Sequence, residues 1–510
     1  MARILPARER PGTGNGRRRA VSGGRALLTV VALLVLPPDA VRSDPLDRLT
    51  ERLDRLEREN RRLRKEVEAI RAEQARRPAP PPAAAVHAPG SDGAPAGFVR
   101  RDSRFAYEIL DPTNAINRKE RLLLDRRRHG TLAPGGLYLQ GAITPVANYQ
   151  SSNRADKFGY LMRHPTARNQ VGKTVSEAAI HSVQLGVTAT PGAWIAGHAQ
   201  MLFDPEQSFG SGTNTALGRN QLQVRQAWVL FGDLDRSPFY ASLGKMAVPF
   251  GLTDTVNPFT ASTVWHAFGG LANGMKAGYA TDGLNLTVVG IQGGAQFRAA
   301  NTPVNGIAVP GRLNNFAVDA NYELRLAPAR SLLLGGSYQR GTAYCQDYPV
   351  KHFGPCRDNN PAFGIYGRLV SGPFTFKAEL ARTTDVWPGT FNPDIPQFAA
   401  SKVTAFDLGA KYRLDRKGGP LDLSAEFSRF VAGPGGAPWE KQDQFALGAA
   451  WFVEPSVKLF AEYVRTTGFA PLNFISGGSV RNGEEVDNTR THSDRSARSN
   501  VLLVGANVAF

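Results

Sequence analysis

Residues Thr404–Leu414 read TAFDLGAKYRL. Phe406, Leu408, Ala410, Tyr412 and Leu414 fall on one face, and Asp407, Gly409, Lys411 and Arg413 on the other. A period of two means a β-strand, because successive side chains leave a pleated strand on opposite sides. The same design recurs over Asn315–Arg325, where Phe316, Val318, Ala320, Tyr322 and Leu324 oppose Asp319, Asn321, Glu323 and Arg325. It returns over residues 374–381, 421–428, 444–452 and 457–464. The second face carries full charges, which the dry interior of a soluble sandwich would not accept unpaired. A sheet with lipid on one side and a wet lumen on the other accepts them, and this is the texture of a transmembrane barrel.

Working outward from that stretch, about sixteen strands can be placed: 137–148, 178–189, 193–203, 221–231, 239–247, 275–281, 284–290, 315–325, 331–340, 362–369, 374–382, 404–414, 421–429, 444–452, 457–465 and 501–510. An even number suits a single-chain antiparallel barrel, and sixteen strands enclose an aqueous interior. Thr281-Asp282-Gly283 and Arg416-Lys417-Gly418-Gly419 read as tight turns, and 341–361, 383–403 and 466–499 as external loops. Trp228, Tyr322, Tyr412, Trp451 and Tyr463 close the apolar faces, as interfacial aromatic girdles would. The last strand, VLLVGANVAF, alternates down to Phe510, which reads as an outer-membrane assembly signal and implies the barrel-assembly machinery as a partner.

In front of the barrel the texture differs. Residues 1–43 place Arg17, Arg18, Arg19 and Arg25 before the apolar run ALLTVVALLVL, with small residues after it. At 11 residues the run is too short for a membrane helix, which needs about 20, and suits a secretory signal. Residues 44–77 carry Leu46, Leu49, Leu53, Leu56, Asn60, Leu63, Val67 and Ile70 at alternating spacings of three and four. This is the seam of a coiled coil, with Asn60 at an a position that can set register and oligomer state. A periplasmic homotrimer is the expectation, with a single amphipathic helix as the alternative. Residues 78–97 are a Pro/Ala/Gly linker. Residues 98–136 are basic, with one short helix expected near Arg118–Arg128, placed either inside the barrel or below it. The barrel then occupies 137–510. The fold class is thus an all-β transmembrane barrel of about 16 antiparallel strands, preceded by an α-helical coiled coil.

The net charge of +17 is misleading as a sign of a nucleic-acid partner. Eight Arg against two acids lie in residues 1–43, and from residue 131 onward 33 basic residues meet 27 acidic ones, so the excess is not gathered on one folded face. A mean hydropathy of −0.28 argues against a helical membrane protein and leaves a barrel open. Cys345 and Cys356, the only cysteines, share one Pro/Gly-rich segment and read as a disulfide in an oxidising compartment. The eight His are scattered, and neither Gly-x-Ser-x-Gly nor His-Glu-x-x-His occurs. No catalytic residue, metal site or cofactor is implied.

The segment Gly244-Lys245-Met246-Ala247-Val248-Pro249-Phe250-Gly251, followed by Asn257-Pro258-Phe259-Thr260, resembles a stretch of two porin families, the LbtU-like siderophore porins and the phosphate-selective porins. Where siderophore porins show Asp-Pro-Leu-Thr and then Gly-Glu, this chain has Asn257-Pro258-Phe259-Thr260 and then Val264-Trp265-His266. The resemblance implies an outer-membrane porin. The segment Pro249–Asn273, with Phe250, Phe259, Trp265 and Phe268, either folds inward as a constriction or packs on the rim or a neighbouring subunit. The alternation turns Arg225, Arg325, Arg368, Lys377, Lys411, Arg413 and Lys458 inward together with Asp319, Glu323, Glu379, Asp407, Asp422, Glu426 and Glu462. Seven charges of each sign suggest a general diffusion pore for small hydrophilic solutes or ions, with cross-strand pairs such as Glu379–Lys411 or Glu426–Lys411 as the plainer reading of any one charge. Transport of a ferric siderophore or phosphate-type anion is one alternative, and a tether between outer membrane and cell wall another. The expected place is the outer membrane of a Gram-negative bacterium, in contact with its lipid, with the coiled coil in the periplasm.

Overall fold

The computed structural model describes residues 98–155, 157–158, 172–203, 222–293, 312–345, 359–387, 400–470, 480–481, 484–485 and 493–510. The signal, the heptad seam, the linker and Cys356 lie outside the described residues. Cys345 is disulfide-bonded.

Sixteen strands form the wall. They are β1 (Gly136–Ser152), β2 (Thr174–Thr190), β3 (Ile195–Phe203), β4 (Leu222–Gly232), β5 (Phe239–Ala247), β6 (Leu271–Ala280), β7 (Leu284–Gln292) and β8 (Leu313–Ala327). The rest are β9 (Arg330–Gln339), β10 (Ala362–Ser371), β11 (Phe374–Thr383), β12 (Thr404–Leu414), β13 (Leu421–Val431), β14 (Lys441–Glu454), β15 (Val457–Phe469) and β16 (Asp494–Ala509). Each pairs antiparallel with its neighbour, and β16 returns to β1, with Ser499 opposite Ser152 and Ala509 opposite Ala142. The sheet therefore closes without an edge, so every wall strand has a hydrogen-bonding neighbour on both sides.

One rim is made of short turns such as 281–283, 328–329 and 372–373, and the other of long connections such as 153–173, 293–312 and 470–493. Outward positions are apolar: Leu243, Met275, Val288, Ile365, Leu408 and Leu502 are all exposed. Aromatics gather near the short-turn rim, where Phe374 lies 4.8 Å from Tyr412 and Phe239 5.1 Å from Tyr279. A second set, Phe316 with Tyr338 and Phe406 with Phe427, each 5.9 Å apart, lies toward the long loops. The outside is thus an apolar belt between two sets of aromatics, the pattern a lipid-facing surface requires. Trp228 does not belong to it. At 3% exposure it faces inward with Gln226 and Leu230, while Val229 and Phe231 face out. The interior of this barrel is in part apolar, and Trp228 packs there.

Two helices occupy the lumen ahead of β1: α1 (Ser103–Leu110) and α2 (Lys119–Arg128). They extend the single helix expected near Arg118–Arg128. Asp102 caps α1 by accepting from the Phe105 N–H at 2.9 Å. Phe105, Ala106, Ile109 and Leu110 form its buried face, against β16, β1 and β2. A two-residue strand, Val99–Arg100, runs parallel to the start of β1. The third long connection, 248–270, also turns inward and contains α3 (Thr263–Phe268). All its residues from Val248 to Phe268 are buried.

Candidate functional site: the lumen

The inward loop, 248–270, is held by side chains of the wall. Its backbone is mostly irregular, so its N–H groups lack helical or ladder partners and need others. Carboxylates on alternate strands provide them. Glu379 on β11 accepts from the Leu252 and Thr253 N–H groups, both at 2.9 Å. Glu426 on β13 accepts from the Val256 N–H at 3.2 Å, the Thr255 hydroxyl and the Asn257 amide. Glu462 on β15 accepts from the Phe259 and Thr260 N–H groups at 2.6 and 3.1 Å, and from the Thr260 hydroxyl. Ser337 and Ser428 accept two more loop N–H groups, from Gly251 and Thr263. Loop carbonyls are served by cations and an amide: Lys377 donates to the Asp254 carbonyl, Lys458 to Pro258 at 2.7 Å, and Gln444 to Ala261 at 2.9 Å.

Close approach to the wall needs missing side chains. A Cβ on Gly409 would lie 2.7 Å from Val256, and one on Gly448 2.5 Å from Pro258. Gly251 has φ +69°, and a Cβ there would sit 2.1 Å from the Glu379 carboxylate. Phe250 and Phe268 lie 5.6 Å apart, Phe268 meets Tyr344 at the same separation, and Phe259 stacks at 5.3 Å on Phe460 of the wall. Trp265 is buried in α3 beside His266.

The segment ahead of β1 meets this loop. Asn117 donates to the carbonyls of Phe250 and Gly251, the Thr255 N–H donates to the Thr113 carbonyl, and Arg118 pairs with Asp254 at 2.7 Å. On the far wall Glu120 pairs with Lys276 of β6 at 2.7 Å, with side chains only 4% and 2% exposed. At the short-turn rim Arg127 reaches the carbonyls of Gly192 and Gly232. Lys119 donates to the carbonyls of Glu108, Asp111 and Asn114. Burial lowers its ammonium to about 8, against the pull of Asp111 and Asp254. A cavity of about 570 Å³ remains between α1, the loop and the β10–β15 wall, bordered by Tyr107, Asp111, Arg368, Lys411, Asp422 and Lys458.

The charges expected to line water are divided by these elements. Lys377 bonds to Asp407 at 2.9 Å and approaches Glu426 at 3.7 Å, all three being buried. Glu379 and Glu462 are likewise buried against the loop, and Lys458, buried too, lies between the loop and the cavity. Arg413 grips Asp422 in a bidentate pair, both bonds 2.7 Å, and Lys411 approaches the same carboxylate at 3.7 Å. Lys411 thus pairs with Asp422 and not with Glu379 or Glu426. Arg368 lies 3.7 Å from Asp254. Asp319 accepts from Ser337, Tyr366 and Asn321. Arg325 keeps the inward register but is exposed at the short-turn end, and Glu323 and Arg225 are half-buried. Phe510 exchanges backbone bonds with Gly141. Sequence reasoning missed the role of the wall carboxylates as loop anchors. The inward glycines Gly409 and Gly448, with no apolar or polar use of their own, were the signal that something packs on that wall.

No family model matches the chain. A Coxiella burnetii (strain RSA 493 / Nine Mile phase I) chain described as a UPF0422 protein is 24% identical over 275 residues, which is 52% of this chain and 54% of that one. The match thus spans about half the length of the curated relative. Among solved structures, the anion-selective porin from Comamonas acidovorans is 13% identical with a TM-score of 0.45, over 74% of this chain and 99% of that one. The outer membrane channel DcaP of Acinetobacter baumannii is 13% identical with a TM-score of 0.44, over 74% and 97%. OprB of Pseudomonas putida is 9% identical with a TM-score of 0.45, over 73% and 94%.

Proposed function

We propose that this chain is a porin-type channel of the bacterial outer membrane, passing small hydrophilic solutes or ions by diffusion, and not an enzyme. The observation that carries the reading is the closed barrel with an apolar outside and a charged inside: Leu408 is 56% exposed while Asp407 beside it is 0% exposed. Such a wall is stable with lipid outside and polar contents within. On this reading solutes pass between α1, the inward loop and the β10–β15 wall, where Arg368, Lys411 and Asp422 border the cavity. A trimer joined through the heptad residues 44–77 and delivery by a cleaved leader complete the proposal. The test is conductance of the refolded protein in a planar bilayer. Stable ohmic steps support it. A barrel that migrates as folded but passes no current under any condition sinks it.

A further inference from the structure

The segment 98–133 is braced within itself. Lys119 in α2 donates to three carbonyls of α1 and its following turn, at 2.7, 3.0 and 3.1 Å. Arg126 in α2 pairs with Glu108 at 2.6 Å and Asp102 at 3.6 Å. Its bonds to the rest of the barrel include the Glu120–Lys276 pair, the two carbonyls held by Arg127, the contacts of Thr113, Asn117 and Arg118 with the inward loop, and exposed rim pairs from Arg128 to Asp235 and Asp282, both at 3.6 Å, while the apolar face of α1 packs on β16, β1 and β2. Both ends of the segment lie at the short-turn rim. It enters there, with Val99 and Arg100 beside Leu137 and Tyr138, and leaves there through Gly130 and Gly135, whose φ angles are +69° and +74°. A unit tied at one rim by both ends can withdraw through that rim without threading the chain through the barrel. It also carries nine basic side chains against five acidic ones, a net charge of +4 in a lumen that crosses a membrane.

We propose that residues 98–133 are a cationic plug that leaves the lumen as one body through the short-turn rim, so that the channel opens further when that side is electrically negative. The proposal rests on the channel reading above. A charge that moves through a membrane field couples its position to voltage in proportion to the charge moved. The inward loop stays in place, since wall carboxylates on three strands hold it.

Single-channel recording after one-sided insertion tests this. The expected result is a larger conductance level at one polarity only, with an effective gating charge of up to about four elementary charges. In Arg101→Gln/Arg104→Gln, at two exposed positions, the steepness falls to about half. In Lys276→Met, which leaves Glu120 buried without its partner and the segment's charge unchanged, the larger level is visited at least about tenfold more often. Should the second variant fail to fold, the first still decides, because its residues lie outside the packed interior. Conductance alike at both polarities, with steepness unmoved in Arg101→Gln/Arg104→Gln, overturns the plug and leaves the channel. Absence of current in every folded form overturns both.

Discussion

Two inserts share the lumen, and they are held in opposite ways. The loop 248–270 is fixed from outside itself, with seven of its backbone N–H groups donating to side chains of β9, β11, β13 and β15. The segment 98–133 satisfies most of its backbone inside α1 and α2 and meets the wall through side chains, the apolar face of α1 and a few polar groups. The difference follows from backbone chemistry. Irregular chain in a dry place must find acceptors elsewhere, and helical chain has already found them. One insert is therefore tied to the wall through its backbone, and the other through its side chains.

Four variants break or sharpen that contrast. Glu462→Ala removes a carboxylate that accepts from Phe259 and Thr260, and should lower stability by about 3 kcal/mol, read by chemical unfolding of the refolded barrel. Gly251→Ala forces a left-handed residue and pushes a Cβ to 2.1 Å from Glu379, so a loss of about 2 kcal/mol is expected in the same assay. Lys119→Met unties α1 from α2. Amide exchange should speed up about tenfold across 103–128 while residues 251–260 keep their protection. Equal loosening of both segments would refute the distinction. Arg128→Gln cuts rim pairs whose partners are 62% and 86% exposed, and should change stability by under about 0.5 kcal/mol.

The wall was legible because its signal is local. The ranges 239–247 and 404–414 match β5 and β12 residue for residue, and all sixteen expected strands have their counterparts. The ends were less legible. β16 begins at Asp494, seven residues before the expected 501, because DRSARS is polar on both faces and shows no alternation. Tyr322 and Trp451 face outward as the girdle reading requires, whereas Trp228 faces in. An aromatic on a strand says that an apolar neighbour waits, without saying on which side. The inward charges were found by parity, but their use was not. Seven and seven suggested a water-lined pore, yet Glu379, Asp407, Glu426 and Glu462 spend their oxygens on the loop or on Lys377.

What the sequence by itself determined is the barrel: a two-residue period, short turns on one rim and long connections on the other depend only on neighbours along the chain. What only the tertiary structure decided is how the lumen is filled. The bonds that place the loop join residues far apart in the chain, 203 positions in the case of Phe259 and Glu462 and 127 for Leu252 and Glu379. Closure of sixteen strands brings those residues together, and no local pattern encodes which inward carboxylate will face which loop N–H until the sheet has closed around them.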